Sequence, residues 1–190
     1  MMNILEDGES VTIYDVLKNK DQRVELQNKL VLENKNWTII GAKLNIPGPI
    51  KNNLMIENFF KYELVKFESN APFVLTLEGN FLKKKTGPEY FYLAQEKPVN
   101  VKEYCIDFEQ ENKARRLFDL DVHYFKNNQI KDLGRAELGI LGRGCLICGK
   151  PAKECARSRA HSVEELQKQI SELIIQELSF WIFKKICNYL

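Results

Sequence analysis

A chain of 190 residues, 44% hydrophobic and 28% charged, has the apolar content of one folded domain and too much of it for an extended, disordered chain. Its 28 Lys and Arg against 26 Asp and Glu give a formal charge of +2, which excludes a general nucleic-acid binder working through excess positive charge. The opening run MMNILEDGES has no apolar core, residues 173–186 are too short and too charged for a membrane span, and the five cysteines are odd in number and unevenly spaced. A cytoplasmic protein with no membrane partner is expected, its thiols free or on a metal.

In chain order, Thr12 followed by Asp15 reads as a capping box, and a helical pattern with Ile13, Val16, Leu17, Val24, Leu30 and Val31 as its packing residues runs to about residue 35, with Asn19 to Asp21 as a candidate break. Residues 37–44 (WTIIGAKL) read as a strand that enters the turn Asn45-Ile46-Pro47-Gly48-Pro49. That turn is either a tight connection or a place where Asn45, Gly48 and Lys51 meet phosphate. Residues 53–67 form an amphipathic helix, and residues 73–77 and 89–94 form strands. The Lys83-Lys84-Lys85 run between them is a solvated tip or a patch that steers an acidic partner.

Pro98 starts a helix to about residue 112, with Val101, Cys105 and Phe108 facing inward, so Cys105 belongs to the core. Residues 117–124 read as a strand, and Asn127-Asn128 as a hairpin turn into residues 129–133. Ser162-Val163-Glu164-Glu165 opens a long C-terminal helix. It is expected to bury Leu166, Ile170, Leu173, Ile174, Leu178, Trp181 and Ile182, with residues 180–190 as a packed tail or partner surface. The fold expected is α+β or mixed α/β: one domain over 1–190, a mixed, largely antiparallel sheet flanked by helices.

Chemistry concentrates between Arg115 and His161. On a strand of period two, Asp119 and Asp121 point to one face, where they either face water or hold Mg²⁺, which favours one or two carboxylates with waters and phosphates. Cys145-x2-Cys148 has zinc-knuckle spacing, and Cys155 with His161 would complete a Cys₃His site; the alternative is reduced thiols in a packed loop. Arg143, Arg157 and Arg159 beside them suit phosphate oxygens.

The runs Arg116-Leu117-Phe118-Asp119-Leu120-Asp121-Val122, Cys145-Leu146-Ile147-Cys148 and Pro151-Ala152-Lys153-x-Cys155-Ala156-Arg157-Ser158-Arg159-x-His161-Ser162 resemble the citrate lyase holo-acyl-carrier-protein synthase family, as does Asn45-Ile46-Pro47-Gly48-Pro49-x-Lys51. The likeness begins near Thr12 and reaches the C-terminal helix. It implies a nucleotidyltransferase-like enzyme, also called apo-citrate lyase phosphoribosyl-dephospho-CoA transferase, with triphosphoribosyl-dephospho-CoA and the apo-acyl carrier protein as partners. A carrier serine would attack the α-phosphate and release pyrophosphate. Asp119 and Asp121 would hold Mg²⁺; Arg116, Arg157 and Arg159, with Lys51 or Arg143, would neutralise the phosphates. His161, His123 or either of the two carboxylates is a candidate base. Asn112 and Arg115 stand where a histidine and a glycine are expected. Two competing readings are a zinc-bearing module that binds a carrier or nucleic acid without chemistry, and the equivalent maturation enzyme of malonate decarboxylase.

Overall fold

The first long helix starts where its cap allows. In the computed structural model, which describes residues 3–187 and side chains through Trp181, Thr12 and Asp15 form a reciprocal capping box at the head of α1 (Ile13–Glu33). The helix continues through Asn19 to Asp21 without a break. After it come β1 (Thr38–Leu44), α2 (Leu54–Asn70), β2 (Leu75–Phe81), β3 (Glu89–Ala94), α3 (Pro98–Gln110), β4 (Phe118–Lys126), β5 (Gln129–Leu133), α4 (Ala152–Ser158) and α5 (Val163–Cys187). Ile182 and the rest of the expected C-terminal tail lie outside the described side chains.

The strands form one sheet in the order β2-β3-β1-β4-β5, and every neighbouring pair is antiparallel. The α+β expectation holds, and the mixed sheet becomes a wholly antiparallel one among the described strands. The reason is β1: it lies between β3 and β4, so the crossover through α3 joins two strands that run the same way but never pair. The turn at Asn127 and Asn128 has φ of 53° and 58°, the left-handed pair that a two-residue hairpin needs.

Alternation along the strands gives the sheet two different faces. Ile40, Ala42, Tyr90, Tyr92, Phe118, Leu120 and Val122 point into the main core, with α2, α3 and α5 over them. Phe60 stacks on Phe118 at 5.5 Å between ring centroids, and Phe108 meets the same ring edge-on at 5.3 Å. Each such ring contributes on the order of 2 kcal/mol by burial. Ile4 and Leu5 also enter this core, and the Ile4 N–H donates to Ser171 Oγ on α5 at 3.2 Å.

The second face carries Ile39, Phe91 and Leu93 and is covered by Leu30 and Val31 of α1. The other half of α1 holds on through polar groups. Asn19 donates to the buried Glu89 at 2.7 Å, and Arg23 and Lys84 reach the same carboxylate at 3.4 and 2.8 Å. Ile13, Leu17 and Val24, read as packing residues, therefore point outward. The lysine run is partly engaged: Lys84 is held by Glu89, and Lys85 by Asp15 and Glu9.

Two sequence boundaries move. The strand expected at residues 73–77 begins at Leu75 and extends to Phe81, with a bulge between Leu77 and Gly79. The bulge leaves Gly79 against the ring of Phe91, where a Cβ would come within 3.0 Å. On α5, Ile170, Leu173, Ile174 and Leu178 are buried as expected, while Leu166 and Trp181 are only half-buried.

Gly48 adopts φ +86°, and a Cβ there would overlap the Gln167 side chain, which donates to Pro47 O at 3.3 Å. Gly48→Ala is expected to cost about 1–2 kcal/mol from the left-handed backbone. The check is thermal unfolding, with a Tm roughly 2–8 °C lower.

Candidate active site and metal centre

The β1–β4 register decides which polar groups meet. Lys43 on β1 lies opposite Asp119 on β4, and Asp121 opposite Gly41. Main-chain pairing continues past β1, since the Asn45 N–H donates to Leu117 O at 2.8 Å. That bond brings the Pro-Gly-Pro turn beside Arg116 and Leu117.

Asp119 and Asp121 share one face, and the Lys43 ammonium bonds both, reaching Asp121 at 3.1 Å. Arg143 donates to Asp119 at 3.0 Å and to Glu109 at 2.8 Å. Glu109, 1% exposed, also accepts from Arg135 and from the Leu120 N–H at 2.8 Å. Three carboxylates and three cations thus interlock. Burial pushes the Asp119 carboxyl up, but the charges of Lys43 and Arg143 outweigh it and hold it below its ordinary value of 3.8. The two Asp oxygens converge on one cation position, which the Lys43 ammonium fills; such an acid pair is the kind of donor set that Mg²⁺ takes together with water and phosphate.

Beside this network opens a cavity of about 670 Å³, a size suited to a nucleotide-like ligand. Asn45, Arg116, Arg143, Arg159 and His161 supply its polar wall; Leu117, Leu146, Val163, Leu166 and Ile170 supply an apolar one. Arg143 belongs to both places, since it lines the cavity and bonds Asp119. Arg116 is steadied by donating to Gly144 O.

Not every sequence candidate reaches the cavity. Lys51 donates to Ile46 O, and burial lowers its pKa. Gly48 packs on Gln167, and Arg157 lies exposed on α4 outside the lining. His123 sets Nδ1 against Asp132 at 2.5 Å and encloses Nε2. Asn112 and Arg115 are structural. Asn112 Oδ1 accepts the Arg115 N–H at 2.8 Å, where the turn Arg115–Leu117 begins, while Arg115 Nε bonds the fully buried Glu63 at 2.6 Å.

Lys43, Glu109 and Arg135 were missed from sequence. Glu109 had left a signal: it sits on the inward stripe of α3, four residues after Cys105, where a charge requires partners. Lys43 had left none, because strand register is not written in the residues themselves.

The thiols also come together. Sγ of Cys145, Cys148 and Cys155 and a ring nitrogen of His161 all lie within 4.8 Å of one another. Cys148 Sγ is 3.5 Å from Cys155 Sγ and 3.2 Å from His161 Nε2. Cys105, by contrast, is fully buried in the core, and burial pushes its thiol well up.

The sequence model described as apo-citrate lyase phosphoribosyl-dephospho-CoA transferase matches residues 11–177. The protein CitXG of Leuconostoc mesenteroides subsp. cremoris is 34% identical over 176 residues, 91% of this chain and 37% of that protein's length. A probable apo-citrate lyase phosphoribosyl-dephospho-CoA transferase of Streptococcus pyogenes is 33% identical over 167 residues, 88% of this chain and 87% of its own. Its counterpart in Vibrio cholerae is 30% identical, covering 86% of this chain and 92% of its own. No helix among the described residues is long and apolar enough to cross a membrane. With the match running from just before α1 through the thiol cluster into α5, the chain belongs to the apo-citrate lyase phosphoribosyl-dephospho-CoA transferase family.

Proposed function

We propose that this protein is a nucleotidyl-type transferase of the cytoplasm, attaching the phosphoribosyl-dephospho-CoA group to the apo-acyl carrier protein of citrate lyase. The donor is triphosphoribosyl-dephospho-CoA. The carrier serine Oγ forms a bond to the α-phosphorus, the bond to the pyrophosphate oxygen breaks, and the serine proton leaves to a base. A phosphodiester and pyrophosphate result.

The observation that carries this reading is Arg143, which joins an arginine-lined cavity to two carboxylates converging on one cation position. Arg116, Arg143 and Arg159 would take the phosphate oxygens, and the apolar wall from Leu146 to Ile170 the uncharged part of the donor. Asp119 and Asp121 are the residues that would hold Mg²⁺, which when bound supplies charge neutralisation at the triphosphate. Lys43, which the metal would displace from them, would then be free to pair with phosphate. Rate gain would come from positioning and electrostatics, without a covalent enzyme intermediate.

The test mixes the protein with purified apo-carrier, triphosphoribosyl-dephospho-CoA and Mg²⁺. The carrier is expected to gain the mass of the prosthetic group, with one pyrophosphate per carrier. A carrier unchanged in mass rules the reading out.

A further inference from the structure

The segment between Gly134 and His161 is ordered yet almost coreless. Of its side chains only Cys145 and Cys155 are buried, and its sole regular elements are the turn Ala136–Leu138 and the two-turn α4. Something other than apolar burial has to hold it.

Its local geometry is that of a metal knuckle. The Gly149 N–H donates to Cys145 O at 3.0 Å, the Cys145 N–H to Lys150 O at 2.6 Å, and Gly149 takes φ +75°. The N–H groups of Ile147 and Cys148 point at the Cys145 sulfur, which closes the turn around it. Pro151 bridges to Gly144 and starts α4, whose first turn returns Cys155 to the pair. Arg159, at φ +51°, ends α4 and turns the chain so that His161 comes back as well.

Around a tetrahedral Zn²⁺ with Zn–S near 2.3 Å, ligand atoms stand about 3.8 Å apart. The four ligand atoms here, all within 4.8 Å of each other and as close as 3.2 Å, already have that spread. We infer that Cys145, Cys148, Cys155 and His161 bind one Zn²⁺ per chain, in a closed site that serves as the core of the 134–161 segment. Four protein ligands leave no open position, so the ion is structural. Soft sulfur with one imidazole selects zinc over the hard Mg²⁺.

The site has a consequence for the neighbouring cavity. Arg143 precedes Cys145 by two residues, and Arg159 precedes His161 by two. Zinc therefore fixes the backbone on either side of the cavity wall. His161, as a ligand, is removed from the choice of general base. The inference does not rest on the transfer reaction, and its readout is the metal itself.

The full-length protein, purified reduced and without chelator, is expected to carry close to one zinc per chain. Co²⁺ added to the metal-free protein should give the intense visible bands of tetrahedral thiolate coordination. Cys148→Ser changes an exposed thiol and is expected to lose most of the zinc while keeping the far-UV spectrum of the fold. His161→Asn should weaken binding at least tenfold, and metal removal should make residues 134–161 the first protease target. A reduced protein that takes up no zinc, or a Cys148→Ser variant that retains a full equivalent, overturns the site. If zinc is bound but the carrier stays unlabelled, the metal site stands and only the proposed reaction fails.

Discussion

Asp119→Asn is expected to lower carrier labelling by about 10²–10³-fold while the chain stays folded. The amide keeps the shape of the carboxyl but removes the charge that Lys43 and Arg143 converge on. Main-chain pairing with β1 holds the strand in register, Lys43 keeps Asp121, and Arg143 keeps Glu109. The side chain is one-third exposed, so the stability change should be small, roughly 1 kcal/mol or less. Its depressed pKa sets the sign of the pH effect. The ion pairs contribute above the ordinary carboxylate value of 3.8 and are lost as pH falls through the lowered one. Single-turnover labelling by mass, alongside a melting curve, separates chemistry from folding. Normal labelling by the variant would remove Asp119 from the mechanism.

Glu109→Ala should do the opposite kind of damage, striking stability first. The carboxylate is almost wholly buried and accepts from Arg135, Arg143 and the Leu120 N–H. Removing it takes the carboxylate from Arg135, leaves Arg143 with Asp119 alone, and takes the acceptor from the Leu120 N–H. Breaking a buried ion pair by deleting one partner costs about 3–5 kcal/mol. For a chain of this length that lowers Tm by on the order of 10 °C. Arg143 also loses one of its two carboxylate tethers and keeps only Asp119, so labelling should fall even well below the melting temperature. Glu109→Gln keeps an acceptor for Leu120 and should land between wild type and Ala. A Glu109→Ala protein as stable as wild type would mean that solvent reaches this network freely.

Local patterns were legible wherever they are self-contained. The capping boxes at Thr12 and Ser162, the Asn127-Asn128 hairpin and the inward stripe of Val101, Cys105 and Phe108 follow from spacing alone. The period of two put Asp119 and Asp121 on one face. Long-range facts were not legible. Lys43 meets the acids only because β1 lies beside β4, a choice made by the whole sheet. The apolar residues of α1's first half pointed to packing, yet buried Glu89 draws polar Asn19 and Arg23 inward instead. Gly48 and Lys51 belonged to a phosphate-like motif, but contacts with Gln167 and Ile46 give them structural work.

The sheet's outer strands shape how copies of this chain behave at high concentration. β5 has only five residues and carries Lys131 and Asp132; β2 places Glu78 at its bulge. Neither rim offers the long, flat, uncharged ladder onto which another molecule could add strands. Short length, charge and a bulge are the features by which sheet rims are kept from pairing with other chains.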